Sequence, residues 1–268
     1  MRKLFVCIAL GLTTLTGNAA SPLWMRDVQI SPDGTEIAFC YKGDIYKVSA
    51  GGGTAIQLTT QPSYECTPIW SPDSKQIAFA SDRNGNFDIF VMPATGGTAQ
   101  RLTTHSSSEL PSTFTPDGKY ILFSASIQDP SQSALFPTTA MTELYKVPVN
   151  GGRTEQVLGT PAEAVCYAPS GEFLLYQDRK GFEDEWRKHH TSSITRDIWL
   201  YDTKTGKHTN LTNHAGEDRN PVLSPDGKSV YLLSERKGSF NVYSFPLDNA
   251  QDLKAVTSFK THPVRFLS

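Results

Sequence analysis

The stretch from Gly181 to Arg196 concentrates the side chains of this chain that are best suited to contact another molecule. Acidic residues open it, and a basic cluster with an aromatic residue follows. The candidate contact residues are Trp186, Arg187, Lys188, His189, His190 and Arg196. Such cationic and aromatic side chains suit a carboxylate-bearing peptide or a partner domain. The alternative is a solvated loop that packs Trp186 against the fold.

The sequence predicts neither metal binding nor catalysis. Adjacent histidines such as His189 and His190 cannot both face one side of a strand, and no further ligand follows at a fixed spacing. The chain has no G-x-S-x-G elbow, no H-E-x-x-H pair and no glycine-rich phosphate loop. We therefore expect no catalytic residue, no metal and no cofactor.

The first twenty residues have the layout of a secretory signal. Arg2 and Lys3 precede an apolar run that is too short to span a membrane, and small residues end it at Ala19 and Ala20. We expect residues 1–20 to be removed on export to a periplasm or beyond. The net charge of −2 argues against a nucleic-acid partner.

A Ser-Pro-Asp-Gly type of turn recurs five times and must position any functional loop. Proline sets φ at the first central position, and the Asp or Ser and Gly that follow favour a tight hairpin. The turn residues are Pro32, Asp33, Gly34, Pro72, Asp73, Pro116, Asp117, Gly118, Pro169, Gly171, Pro225, Asp226 and Gly227. Acid–arginine pairs also recur after the second strand, which indicates hairpin support: Asp82-Arg83, Asp178-Arg179 and Glu235-Arg236.

Each turn joins two short β-branched or aromatic runs, and a third and fourth run follow. Four strands per repeat of about 40 residues are typical of a propeller blade. The sequence therefore predicts an all-β fold, a β-propeller of four-stranded blades. The expected blades are 22–60, 61–104, 105–159, 160–213 and 214–258.

Residues 259–268 are expected to start a sixth blade, because they align with the first strand of the earlier repeats. We thus predict a truncated six-bladed propeller over residues 21–268, with either a continuing chain or exposed edges.

Irregular loops all fall on one face of such a propeller, opposite the uniform turns. If the strands are lettered A to D from the channel outward, the B–C loops and the D–A links share this face. Blades three and four carry long B–C insertions at 126–142 and 178–196. Loops on a rigid scaffold commonly carry recognition, although such insertions are sometimes merely tolerated.

Three cysteines remain after the signal, at Cys40, Cys66 and Cys166, with no metal-binding spacing. We expect buried thiols; a disulfide between Cys66 and Cys166 is the alternative.

The repeat, with its P-x-W-S-P-D-G core, resembles the WD40-like (PD40) repeats of TolB and of tricorn-type proteases. In blade four, the run from Gly181 through Trp186 to Trp199 resembles the first, six-bladed propeller of exported tricorn-like peptidases of the S41 class. This resemblance implies a noncatalytic domain that gates peptide passage in a serine peptidase whose catalytic residues lie downstream of Ser268.

The partners implied are peptides, another protein and downstream domains of the same polypeptide; a homo-oligomer is left open. The first alternative is a TolB-like binding propeller that recognises a protein or an envelope component. The second is the propeller of a prolyl-oligopeptidase-like hydrolase, again with catalysis downstream.

Expression of the chain with its native first residues should yield a mature form that begins at Ala20 or Ser21. Intact-mass analysis of the exported protein measures this directly. A product that retains Met1 in the exported fraction would contradict the signal assignment.

Overall fold

The computed structural model describes residues 24–127, 142–181 and 191–268. Within these ranges the chain forms twenty β-strands and no helix, which confirms the all-β prediction. The strands are β1 (Met25–Ile30), β2 (Glu36–Tyr41), β3 (Asp44–Ser49), β4 (Ile56–Gln57), β5 (Glu65–Trp70), β6 (Gln76–Ser81), β7 (Asp88–Pro93), β8 (Gln100–Arg101), β9 (Glu109–Phe114), β10 (Tyr120–Ala125), β11 (Glu143–Pro148), β12 (Glu155–Leu158), β13 (Ala162–Tyr167), β14 (Phe173–Asp178), β15 (Ile198–Asp202), β16 (His208–Asn210), β17 (Asp218–Leu223), β18 (Ser229–Ser234), β19 (Asn241–Pro246) and β20 (Lys254–Ala255).

The strands form five antiparallel sheets, each built from four consecutive strands, and these sheets are the blades of a β-propeller. Strand A of each blade, namely β1, β5, β9, β13 or β17, contacts the strand A of the next blade along the chain. The five inner strands therefore surround a central channel. Strands B, C and D lie progressively farther from it.

The turns between strands A and B share one hydrogen-bonding pattern. In blade one the Ser31 hydroxyl donates to the Asp33 carboxylate over 2.6 Å, and the N–H of Thr35 donates to the same carboxylate over 3.0 Å. Equivalent hydroxyl-to-carboxylate bonds join Ser71 to Asp73, Thr115 to Asp117 and Ser224 to Asp226. These bonds lower the pKa of all four carboxyls. Because they favour the ionised form, their contribution is lost as the pH falls.

The last turn position needs a left-handed backbone. Gly34 adopts a φ of 73° there, and Ser74 adopts 59° at the equivalent place in blade two. Glycine takes this conformation without a steric penalty, which explains its recurrence in the other four turns.

Blades pack face to face through aromatic pairs from strands B and C. Their ring centroids lie 5.8 to 6.5 Å apart, a distance typical of favourable stacking: Phe39–Tyr46, Phe79–Phe90, Phe123–Tyr145 and Tyr176–Trp199. In blades two and three these rings pack against smaller apolar residues of the preceding blade, such as Ala38 and Ile45 for blade two.

Within the described residues, no sheet comes before blade one, and several apolar residues of its first strand are exposed. Ile30 at the end of β1 is 54% exposed, whereas Trp70 at the same position of blade two is 7% exposed. Trp24 and Met25, at the start of the same blade, are exposed as well.

The predicted first strand of a sixth blade is not a strand in this structure, which has five blades rather than six. The segment nevertheless follows an inner-strand path. Val264 donates its N–H to Phe240 O over 2.9 Å, as Glu109 donates to Phe87 O in blade three, and Ser268 Oγ donates to Val28 O of blade one. No ladder forms because an inner strand needs a strand B beside it.

The recurrent arginines support their hairpins, as the sequence indicated. Arg83 lies 2.6 Å from Glu65, Arg236 lies 2.6 Å from Asp218, and Arg179 lies 2.7 Å from Glu163. Each pair joins the end of strand B to the start of strand A within one blade.

Replacing Asp117 by Ala should lower the free energy of unfolding by about 1 kcal/mol, because Thr115 Oγ and the N–H of Lys119 both lose an acceptor. Urea denaturation at neutral pH measures this. Ser170→Ala in blade four is the matched control, since Ala168 there offers no hydroxyl and Ser170 accepts only a 3.3 Å bond. An equal loss in both variants would contradict the assigned role.

Candidate functional site

The inner strands enclose a cavity of about 850 Å³ along the propeller axis. Residues three to five of each inner strand line it, as Asp27, Thr67 and Ser112 illustrate for blades one to three. Phe266, Leu267 and Ser268 line it in the same way, so the segment after blade five completes the wall. A cavity of this size is within the range of ligand-binding pockets.

A β-bulge at the third residue of four inner strands shapes the wall of the channel. Asp27, Thr67, Ala164 and Asn220 have φ between 47° and 51°, and the strand register shifts at each of them. Blade three has Pro111 at this place, and its ring fixes φ near −65°. The register there shifts one residue later, and Ser112 is left without a partner in β10.

The bulges also turn backbone N–H groups toward neighbouring blades. The N–H of Thr67 donates to Asp27 Oδ2 over 3.1 Å, and the N–H of Asn220 donates to Gln177 Oε1 over 2.9 Å. Burial raises the pKa of Asp27, and the Thr67 hydrogen bond opposes that shift. Asp27 is the acidic member of the bulge positions and faces the channel.

The two ends of the channel differ in chemistry. One end is surrounded by hydroxyl groups, which belong to residues 106–108 of the D–A link and to Ser126 and Thr142. The charged side chains at this end are Glu163 and Arg179. Apolar residues from the far ends of the inner strands line the other: Ile69, Cys166 and Val222. The polar end coincides with the predicted loop face, because Ser126 and Thr142 flank the first insertion and Arg179 begins the second.

Glu163 is the central acceptor at the polar mouth. Its Oε1 accepts from Arg179 Nη1 over 2.7 Å and from Thr142 Oγ1 over 3.1 Å, so it ties the stems of both insertions to blade four. Its Oε2 lies 3.7 Å from Arg196 Nε.

Arg196 lies in the interior rather than on the loop surface. Its guanidinium is 2% exposed and pairs with Glu217 over 2.7 Å. These contacts occupy the side chain with carboxylates of blades four and five, so it supports the junction beneath the insertion. The other predicted contact residues, Trp186 to His190, lie outside the described residues.

A second ionic cluster closes the base of the 178–196 insertion. Lys180 Nζ lies 2.7 Å from Asp197 Oδ2 and 3.4 Å from Asp178 Oδ2, and it donates to Thr195 O over 2.7 Å. Burial alone would lower the pKa of Lys180, but the hydrogen bond to Asp197 and the two negative charges raise it. The ion pair between Lys180 and Asp197, whose carboxyl has a lowered pKa, therefore holds the two stems together.

Cys40, Cys66 and Cys166 are free thiols, so the alternative of a Cys66–Cys166 disulfide is not realised. Burial raises the pKa of Cys66 to about 12. A thiol in such an apolar setting is a poor nucleophile.

Across the described ranges, no group of three or more histidine, cysteine or acidic side chains is arranged to hold a metal ion. The same part of the chain contains no helix with the length and apolar character needed to cross a bilayer.

Sequence reasoning missed Glu163 and Asp27 as channel residues. Arg179 was assigned to hairpin support alone, although it also borders the mouth. One sequence feature could have located residues that line the channel. It is a polar residue just before proline or valine in an inner strand, as in Thr67-Pro68 and Asn220-Pro221, because the bulge occurs there.

Comparison with known proteins agrees with this architecture. A family model described as the tricorn protease N-terminal beta propeller domain matches residues 22–268. A 72-residue segment is 32% identical to "Uncharacterized peptidase YuxL" of Bacillus subtilis (strain 168), over 27% of this chain and 10% of that protein. The matched part of the chain thus spans about a tenth of the length of this curated relative.

Solved structures show the same fold at low sequence identity. The tricorn protease superimposes with a TM-score of 0.75 and 21% identity, over 91% of this chain and 23% of that one. A putative TolB from Agrobacterium tumefaciens superimposes with a TM-score of 0.71 and 18% identity, over 88% and 82%.

Replacing Arg196 by Met should lower the free energy of unfolding by about 3–5 kcal/mol, because Glu217 would be left buried without its cation. Thermal and urea denaturation measure the loss. Lys204→Met is the control, since the Lys204–Glu172 pair is exposed and should contribute nothing measurable. Similar stability in the two variants would show that Arg196 is not the support assigned here.

Proposed function

The chain belongs to the tricorn protease N-terminal β-propeller family, and on that premise we propose that it is the noncatalytic propeller of an exported serine peptidase. Its channel admits peptides to, or releases them from, a catalytic core elsewhere in the parent protein. The single observation that carries this proposal is the 850 Å³ channel whose polar mouth lies at the stems of the two long insertions.

The chemistry of the mouth suits peptides of varied sequence. Residues 106–108 contribute three serines there, and Ser126 and Thr142 add further hydroxyl groups. Hydroxyl groups both donate and accept hydrogen bonds, so they can bind the N–H and C=O groups that all peptides share. The apolar residues deeper in the channel, such as Ile69 and Val222, can contact side chains without selecting a charge.

Catalysis is assigned to another part of the parent. The chain covers 23% of the tricorn protease and 10% of the Bacillus subtilis peptidase that it matches. Both of those proteins are named as a protease or peptidase, which supports a proteolytic parent. An S41-class core, in the manner of tricorn-like enzymes, is the specific parent proposed.

Export and loop contacts complete the proposal. The amino-terminal layout of residues 1–20 supports export to the periplasm, the compartment proposed for this propeller. The proposed contacts for a peptide or a partner domain are Trp186, Arg187, Lys188, His189 and His190, since the insertion that bears them begins beside Arg179 at the channel mouth.

A TolB-like binding propeller is the second candidate. The observation in its favour is coverage, because the chain matches 82% of the putative TolB from Agrobacterium tumefaciens. In that case the same mouth would bind a protein partner and no peptidase would be attached. The propeller of a prolyl-oligopeptidase-like hydrolase is a third candidate, which differs from the first in the catalytic core alone.

Narrowing the channel tests the gating proposal in the protein expressed from its complete reading frame. Ser112→Trp places a large ring in the channel wall, and Ser112→Ala is the matched control. We expect the tryptophan variant to hydrolyse an extended peptide several-fold more slowly than wild type, with hydrolysis of a small chromogenic amide unchanged.

The other outcomes are equally informative. Equal loss on both substrates, or no loss on either, would contradict gating through this channel. A complete protein without peptidase activity that captures an envelope protein through the mouth would favour the TolB-like candidate instead.

A further inference from the structure

Three inner strands begin with a buried acid. Glu65 of blade two, Glu109 of blade three and Asp218 of blade five are at most 1% exposed. Burying a carboxylate is costly unless a cation or several hydrogen-bond donors compensate for the lost water. The surroundings of these three residues therefore decide whether each can stay ionised.

Blades two and five supply a cation and a hydroxyl to their acid. Arg83 lies 2.6 Å from Glu65, and Arg236 lies 2.6 Å from Asp218. In each case a serine lies directly across the sheet from the acid and accepts a hydrogen bond from the arginine, as Ser81 does from Arg83.

Blade three lacks both groups. The residue across the sheet from Glu109 is Ala125, where Ser81 pairs with Glu65. Two residues farther on, Ile127 stands at the position of Arg83 and packs against the apolar core. An apolar residue has thus replaced the cation beside an equally buried acid.

Among the described residues, the strands that pack against β9 supply no free cation in exchange. Strands β6 and β10 contain no charged residue, β5 contributes Glu65, which Arg83 neutralises, and β13 contributes Glu163, which pairs with Arg179.

Strands β7 and β8 face Glu109 with Asp88 and Arg101, and these two pair with each other over 2.7 Å. Two buried carboxylates therefore share one arginine. Within the described residues, Glu109 Oε2 has no hydrogen-bond partner.

The uncompensated acid is coupled to the link between blades two and three. The Thr103 side chain and the His105 backbone both act to lower the pKa of Glu109, so the link lies beside this carboxyl. Asn86 Nδ2 donates to His105 O and Ser107 O of the same link. Residues 106–108 of this link line the polar mouth of the channel.

Burial raises the pKa of Glu109 to about 7, and the bond from Thr103 only partly opposes the shift. The carboxyl titrates near 4.5 when the chain is unfolded. Since the raised value favours the neutral acid in the folded state, stability contributed at low pH is lost as the pH rises from the unfolded toward the folded value.

We propose that Glu109 is a proton switch for the channel mouth. With its proton bound, the neutral acid keeps the 104–108 link packed between blades two and three. Loss of the proton leaves an uncompensated charge at the junction, and the link loosens. The switch is independent of the peptide-gating proposal, because it concerns the protein without any ligand.

Hydrogen exchange of the segment 104–110 tests the switch. After correction for intrinsic exchange, protection in wild type should fall about tenfold from pH 6 to pH 8, as the two titration points require. Glu109→Gln should remove this dependence. Ile127→Arg should also remove it by restoring the arginine of blades two and five, whereas Ile127→Met, similar in size and uncharged, should keep it.

Protection of wild type that does not change with pH, or a dependence that survives Glu109→Gln, would overturn the switch. Should the variants fail to fold, infrared spectroscopy of wild type decides the question. The switch is supported if the spectrum shows a band of a buried protonated carboxyl that disappears between pH 6 and pH 8. The absence of such a band contradicts the switch.

Discussion

Every blade of this protein has two apolar faces, and only another blade can cover them. The rest of the fold follows from that constraint. Aromatic pairs such as Phe79–Phe90 cover the small residues of the preceding blade, and the inner strands are drawn together around the axis. The five inner strands and residues 266–268 enclose the channel, so the position of its wall depends on how the blades pack against one another.

Charge follows a second rule at the junctions between blades. Strand A begins on the loop face, so an acid at its first residue is buried beneath the D–A link and needs a cation from its own hairpin. Arg83 and Arg236 meet that need, and Arg196 and Lys180 form a richer network in blade four. Junctions built from the same repeat therefore differ in how fully a cation neutralises their buried acid. The acid buried below residues 106–108 is the least neutralised of those described.

The repeated parts of the molecule were predictable from sequence, and the unique parts were not. Alternation and the Pro-Asp-Gly turns identify strands and blades because both are local properties of a few residues. The bulge at Ala164 lacks the polar residue that precedes proline or valine at the other bulges, so that local pattern does not predict it. The sequence near Trp186 predicts that Arg196 is a surface cation. In the structure its side chain is buried, because it forms an ion pair with Glu217. The segment after blade five aligns with a strand, but a ladder also requires a neighbour.

The contact between Ser268 and Val28 joins parts of the chain that are 240 residues apart in sequence. Consecutive blades, by contrast, meet along whole apolar faces soon after one another in the chain. Closing so long a loop costs more conformational entropy than bringing adjacent blades together. This contact should therefore form only after the blade faces have packed.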